Sequence, residues 1–66
     1  MIAGALVRLV GISRHGKNRV RENGELWIVR EVRDGRVALD SVQTDDWRWV
    51  FIADDRNFNM TLEGER

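Results

Sequence analysis

Cysteine, proline and tyrosine are absent from the chain, and histidine occurs once, as His15. Without cysteine there is neither a disulfide framework nor a thiolate zinc site, and nothing directs the chain toward an oxidising compartment. A cytoplasmic location is the expectation. The lone histidine has no motif that sets a serine beside it, so a nucleophilic triad has no basis. Long hydrophobic runs are lacking too. The most apolar stretch, "MIAGALVRLVG", is too short for a membrane span, is interrupted by Arg8 and lacks the basic start of a signal peptide. It reads as a strand, and no membrane partner is implied.

Excess charge of one sign is the last absence: eleven Lys and Arg balance eleven Asp and Glu. No global field therefore draws the protein onto a polyanion or an anionic membrane. The distribution is less even. Residues 1–36 hold eight basic and four acidic groups and residues 37–66 hold three and seven, so the halves carry about +4 and −4. Such a dipole either orients a partner or lets the two halves of one small fold attract each other. With 66 residues the chain makes one domain, expected over residues 1–62 with a charged, frayed tail at 63–66. A domain of this size buries only about 60% of the surface its unfolded form exposes.

What is present is β-forming. No segment longer than about ten residues keeps apolar residues at helical spacing, whereas Val, Ile and Trp crowd into short runs. "ALVRLV", Ala5 to Val10, can turn Ala5, Val7 and Leu9 inward and Arg8 outward. Gly11 ends it. Asn23-Gly24 is a turn signal, and "LWIVREVR" follows as a second strand over 26–33. Asp34-Gly35 between two β-like runs predicts a hairpin, because a type I′ turn needs positive φ at both central positions. A third strand is expected over 37–43, a polar turn at Thr44-Asp45-Asp46, and a fourth strand, "WRWVFI", over 47–52. "ADDRNF" is short and polar and suits one 3₁₀ turn. A last strand is expected at Asn59 to Leu62.

Five short strands, a long first connection, tight hairpins and a one-turn link before the last strand together resemble the SH3-like small β-barrel. The resemblance is one of layout over nearly the whole chain, and implies an all-β, five-stranded barrel with a long first loop, Gly11 to Glu25, that contributes to binding. Peptide-binding SH3 domains carry an acidic first loop, an "ALYDY"-type entry and a late proline. Here stand "ALVRLVG", a basic loop and no proline, which argues against proline-rich ligands. The start is similar to KOW-type barrels, with an alternating strand, spaced glycines and a valine at Val7, Leu9, Gly11, Gly16 and Val20; Asn18 and Arg19 occupy places where that pattern has a further glycine. Small barrels of this kind are also frequent in bacterial and phage proteins.

Motifs for chemistry are sparse. Asp45-Asp46 and Asp54-Asp55 are adjacent carboxylates, but neighbours on an extended chain point to opposite sides, and such pairs decorate turns. "DRNFN", Asp55 to Asn59, begins like a calcium loop, yet Met60 stands where the sharp turn needs Gly and Arg66 where a bidentate Glu belongs. "NMT" matches a glycosylation acceptor without a secretory context. "HGKN" lacks the earlier Gly and the following Ser or Thr of a phosphate loop. The expectation is a non-catalytic protein with no cofactor, no metal and no small-molecule substrate.

Two features can carry binding. In "SRHGKNRVRENG", Ser13 to Gly24, the cations Arg14, Lys17, Arg19 and Arg21 suit phosphate oxygens, and four such contacts would give a log–log salt slope of roughly −3 to −4. The alternatives are a solvated loop and one held by the fold's own carboxylates. The second feature is aromatic: Trp27, Trp47, Trp49, Phe51 and Phe58. Trp side chains are economically placed in a core. If Val50 and Ile52 face inward, however, Trp47, Trp49 and Phe51 form an exposed stripe. The first functional reading is a nucleic-acid-binding module using Arg14, Lys17, Arg19 and Arg21 on phosphates with Trp47 or Trp49 stacking on bases. The alternative is a protein-interaction or self-assembly module, such as a homodimer, that uses the aromatic stripe.

Overall fold

The computed structural model describes residues 2–64. Five strands, β1 (Leu6–Gly11), β2 (Leu26–Arg33), β3 (Arg36–Ser41), β4 (Trp47–Phe51) and β5 (Phe58–Gly64), and one helix, α1 (Arg14–Asn23), follow in the order β1-α1-β2-β3-β4-β5. The strands form one antiparallel sheet with spatial order β4-β3-β2-β1-β5. The predominantly β architecture is as expected. The β2–β3 connection is the predicted hairpin, with Asp34 at φ 51 and Gly35 at φ 77, the positive values a primed turn requires.

The alternation read in β1 holds: Ala5, Val7 and Leu9 are buried. They join Trp27, Val29, Val37, Leu39, Val50 and Phe58 in one cluster, against which Val20 and Met60 pack. Register aligns these residues, since Val29 lies opposite Leu39 and Val37 opposite Val50. The opposite face of β2, β3 and β4 carries Ile28, Asp40 and Trp47 in one row and Glu31, Ala38 and Trp49 in the next. A register shift between Val29 and Glu31 frees Arg30 from the ladder.

Three expectations need correction. The long first loop is instead mostly α1. Ser13 caps it, its Oγ accepting the Gly16 N–H at 2.9 Å, and Gly24 ends it at φ 88 with its N–H on the Val20 carbonyl at 2.8 Å. Arg, Lys and Asn fill the interior without proline or a run of β-branched residues. Helical periodicity was hard to read because the inward residues Gly16, Val20 and Asn23 include a single large apolar side chain.

Second, the sheet is open. Among the described residues β4 and β5 are not hydrogen-bonded to each other and form its two edges. The Arg48 guanidinium lies 5.1 Å from the Phe58 ring centroid, joining the two edges by a cation–π contact rather than a ladder. Third, the segment between β4 and β5 is a series of bends, not a 3₁₀ turn. The Asp55 carboxylate organises it by accepting the N–H groups of Phe51, Asn57 and Phe58 at 3.0, 2.9 and 3.1 Å. One side chain thus satisfies three backbone donors of the link and its flanking strands. Of the expected tail, residues 63 and 64 belong to β5, and residues 65 and 66 lie outside the described residues.

Candidate functional site

α1 is held against the sheet at both ends. At its start the Ser13 hydroxyl donates to Asn57 Oδ1 at 2.6 Å and the Ile12 N–H to the Asn57 carbonyl at 2.8 Å. A Cβ on Gly16 would overlap that carbonyl, and one on Gly11 would overlap the backbone of Gly16 and Lys17. The spaced glycines therefore serve close packing of α1, not a flexible loop. At the far end Asn23 is buried and fully used. Its Nδ2 donates to the Arg19 carbonyl at 3.2 Å and to Asp46 Oδ2 at 3.1 Å, and its Oδ1 accepts from the Thr44 hydroxyl at 2.9 Å.

With α1 so oriented, Arg14, Lys17 and Arg21 are exposed. They are three and four residues apart and share one helix face, spanning about 10 Å along the axis at 1.5 Å per residue. Together with Ile12, Ser13 and Asn18 they line an open hollow of about 420 Å³. Among the described residues none of these three cations has a carboxylate partner. Arg19, expected beside them, turns to Glu22 at 2.9 Å within the helix and is partly covered.

Cations on the sheet behave differently. Arg8 bonds both Glu63 and Glu25. Its guanidinium is held above the ordinary value first by the Glu63 hydrogen bond and charge, then by Glu25. Arg30 bonds Asp40 through two nitrogens, and that hydrogen bond raises its pKa as well. Arg33 pairs with Glu31 at 3.0 Å. Arg36 lies 5.0 Å from the Trp49 ring centroid. The Arg8–Glu63 and Arg30–Asp40 pairs join the basic half of the chain to its acidic half, while the helix cations stay outside this pairing. Arg56 also lacks a carboxylate partner among the described residues. It is adjacent in sequence to Asn57, which anchors the start of α1, and sequence reasoning did not single it out.

The aromatic residues divide by face. Trp27 is fully buried, its Nε1–H donating to the Gly24 carbonyl at 3.0 Å. Val50 faces the core, so Trp47 and Phe51 stand on the other side, 46% and 55% exposed; Trp49 shares that side and is half-buried. Ile52, expected to accompany Val50 inward, is exposed. Trp47 is not free on both ring faces: the Arg30 guanidinium is 4.9 Å from its centroid.

Among the described residues no three His, Asp or Glu side chains converge on one point, and no helix is long and apolar enough to cross a membrane. Comparison with known proteins found no matching family model, curated protein or solved structure.

Proposed function

We propose that the protein is a non-catalytic module of SH3-like layout whose α1 binds a nucleic-acid backbone. The reading is carried by one observation: Arg14, Lys17 and Arg21 stand together on one exposed helix face without a carboxylate partner among the described residues, while on the strands Arg8, Arg30 and Arg33 are matched with carboxylates and Arg36 and Arg48 lie against aromatic rings. Phosphate oxygens spaced along a strand are met by cations spaced along a helix. The SH3-like assignment is supported by the hairpin connections and the long first connection, here folded as α1.

The test is fluorescence anisotropy of a labelled oligonucleotide titrated at stepped salt. Three contacts give a log–log slope of about −2 to −3, and each alanine at Arg14, Lys17 or Arg21 makes it shallower by about 0.7–0.9. Absence of binding at ~50 mM salt would overturn the proposal.

A second reading, self-association, is favoured by the β4 edge. Ser41 N–H bonds the Asp46 carbonyl at 3.0 Å and Ile52 N–H the Gly35 carbonyl at 2.9 Å. The even-numbered residues of this ladder thus face β3, and Trp47 and Trp49 turn their backbone N–H and C=O outward. Such an edge suits pairing with a second copy. Sedimentation velocity decides: a monomer at every concentration removes this reading.

A further inference from the structure

We infer that the nucleic acid held by α1 is duplex DNA, that α1 enters its major groove, and that Asn18 reads an adenine there; this rests on the reading of α1 given above. One stripe of the helix carries the inference. Arg14, Lys17, Asn18 and Arg21 lie at i, i+3, i+4 and i+7, so their side chains share one helix face, and all four line the same open hollow. The inward residues Gly16, Val20 and Asn23 occupy the other side of the helix. No carboxylate stands on the outward stripe, because Glu22, the one acid of α1, turns to Arg19. Arg14 and Arg21 mark the two ends of the stripe, and Asn18 lies between them, one turn from each.

Asn18 is the member of this stripe whose chemistry suits a base rather than a phosphate. Ser13 and Asn23 bond within the fold and Arg19 bonds Glu22, whereas among the described residues the Asn18 amide has no hydrogen-bond partner. A free amide holds a donor and an acceptor side by side, the pair that matches N6 and N7 on the major-groove edge of adenine. Its short side chain meets a base close to the helix axis, while the longer arginines and lysine extend to the phosphates of the groove walls. Size agrees: a helix with its side chains is about 10–12 Å across, and the major groove of B-DNA is about 12 Å wide. α1 is presented as a fixed rod, bonded to the rest of the fold near one end through Asn57 and at the other through Asp46. Binding of a single strand draws on aromatic rings that stack on its bases. The hollow has none among its lining residues, and Trp47 and Phe51 stand on the sheet face opposite the core against which α1 packs. Duplex RNA does not admit the helix, its major groove being deep and narrow.

The experiment titrates the full chain against four labelled probes of equal length at stepped salt: an oligo(dA)·oligo(dT) duplex, which offers adenine in every register, the same duplex built with 7-deazaadenine, which lacks the N7 acceptor, oligo(dT) alone, and the oligo(A)·oligo(U) duplex. The unmodified DNA duplex is expected to bind tightest. Asn18→Ala should weaken that binding roughly 5- to 150-fold and abolish the difference between the unmodified and 7-deazaadenine duplexes, with the salt slope unchanged. Lys17→Ala should instead weaken both duplexes alike and make the slope shallower, leaving the preference intact. Equal binding of all four probes, unmoved by Asn18→Ala, overturns groove recognition and leaves phosphate binding by α1 standing; tighter binding of oligo(dT) or of the RNA duplex does the same. A DNA-duplex preference indifferent to 7-deazaadenine and to Asn18→Ala overturns the role of Asn18. Failure of every probe to bind overturns both the inference and the reading beneath it. Far-ultraviolet circular dichroism of each variant separates lost recognition from lost folding.

Discussion

The Asn23 side-chain amide donates to the Asp46 carboxylate at 3.1 Å, tying the last turn of α1 to the residue that precedes Trp47. Asn23 is the one buried polar residue among those described. Its carbonyl also accepts the Ser41 hydroxyl at 2.7 Å, so helix, β3 and the β3–β4 turn meet on it. Asn23→Ala removes the side-chain hydrogen bonds to Thr44, Asp46 and the Arg19 carbonyl, each worth about 0.5–1.5 kcal/mol net. For a domain of this size each kcal/mol lowers Tm by roughly 4–8 °C. Thermal unfolding followed by circular dichroism measures this, and an unchanged Tm would show that Asn23 is not the joint described here.

Gly16 gives a result whose sign is informative. In an ordinary helix interior, Gly→Ala stabilises by about 1 kcal/mol. Here the new methyl would meet the Asn57 carbonyl, a backbone group that cannot swing aside. Overfilling a tight contact costs about 1–3 kcal/mol, so Gly16→Ala should destabilise, and α1 should lose helical signal before the sheet unfolds. Urea denaturation monitored by far-ultraviolet circular dichroism tests it; a variant more stable than the parent contradicts the close approach.

These two residues also explain what was legible in the sequence. The strands were, because Val, Ile and Trp runs broken by Asp34-Gly35 admit little else. α1 was not: its inward positions are Gly16, Val20 and Asn23, and periodicity is blind to a helix that docks through a glycine and an asparagine. The available signals were its caps, Ser13 and Gly24, the latter read only as part of a turn. The four expected cations were legible as a basic segment, but only a helix separates Arg14, Lys17 and Arg21 from Arg19, which Glu22 engages. Both parity sets of "WRWVFI" are largely apolar, so the sequence left the tryptophans between core and surface. The ladder decided by setting Val50 against Val37 and Trp47 against Asp40.

Asp55 is a structural carboxylate with a measurable signature. It accepts three backbone N–H groups across the link from β4 to β5. Asp55→Ala leaves those donors to water or to nothing, at a cost of about 1–3 kcal/mol. Asp55→Asn keeps one acceptor oxygen and should fall between alanine and the parent. Hydrogen exchange at Phe51, Asn57 and Phe58 should quicken in the order parent, asparagine, alanine. Equal protection in all three would remove this role.

Asp45 bears on function with the opposite sign. It is exposed in the turn between Ser41 and Trp47, next to Asp46, to which Asn23 at the end of α1 is bonded. Among the described residues it has no cationic partner, so its charge opposes any phosphate crossing that turn. Exposed charges act through water and salt, with interactions of about 0.2–1 kcal/mol. Asp45→Asn should therefore tighten oligonucleotide binding by about 1.5- to 5-fold at low salt. The gain should shrink as salt rises, because screening erases a repulsion between exposed charges. Asp54→Asn, at the other end of β4, removes the same charge and should leave affinity unchanged. Anisotropy titrations of the two variants at stepped salt make the comparison: equal effects would mean that the strand does not cross the β3–β4 turn.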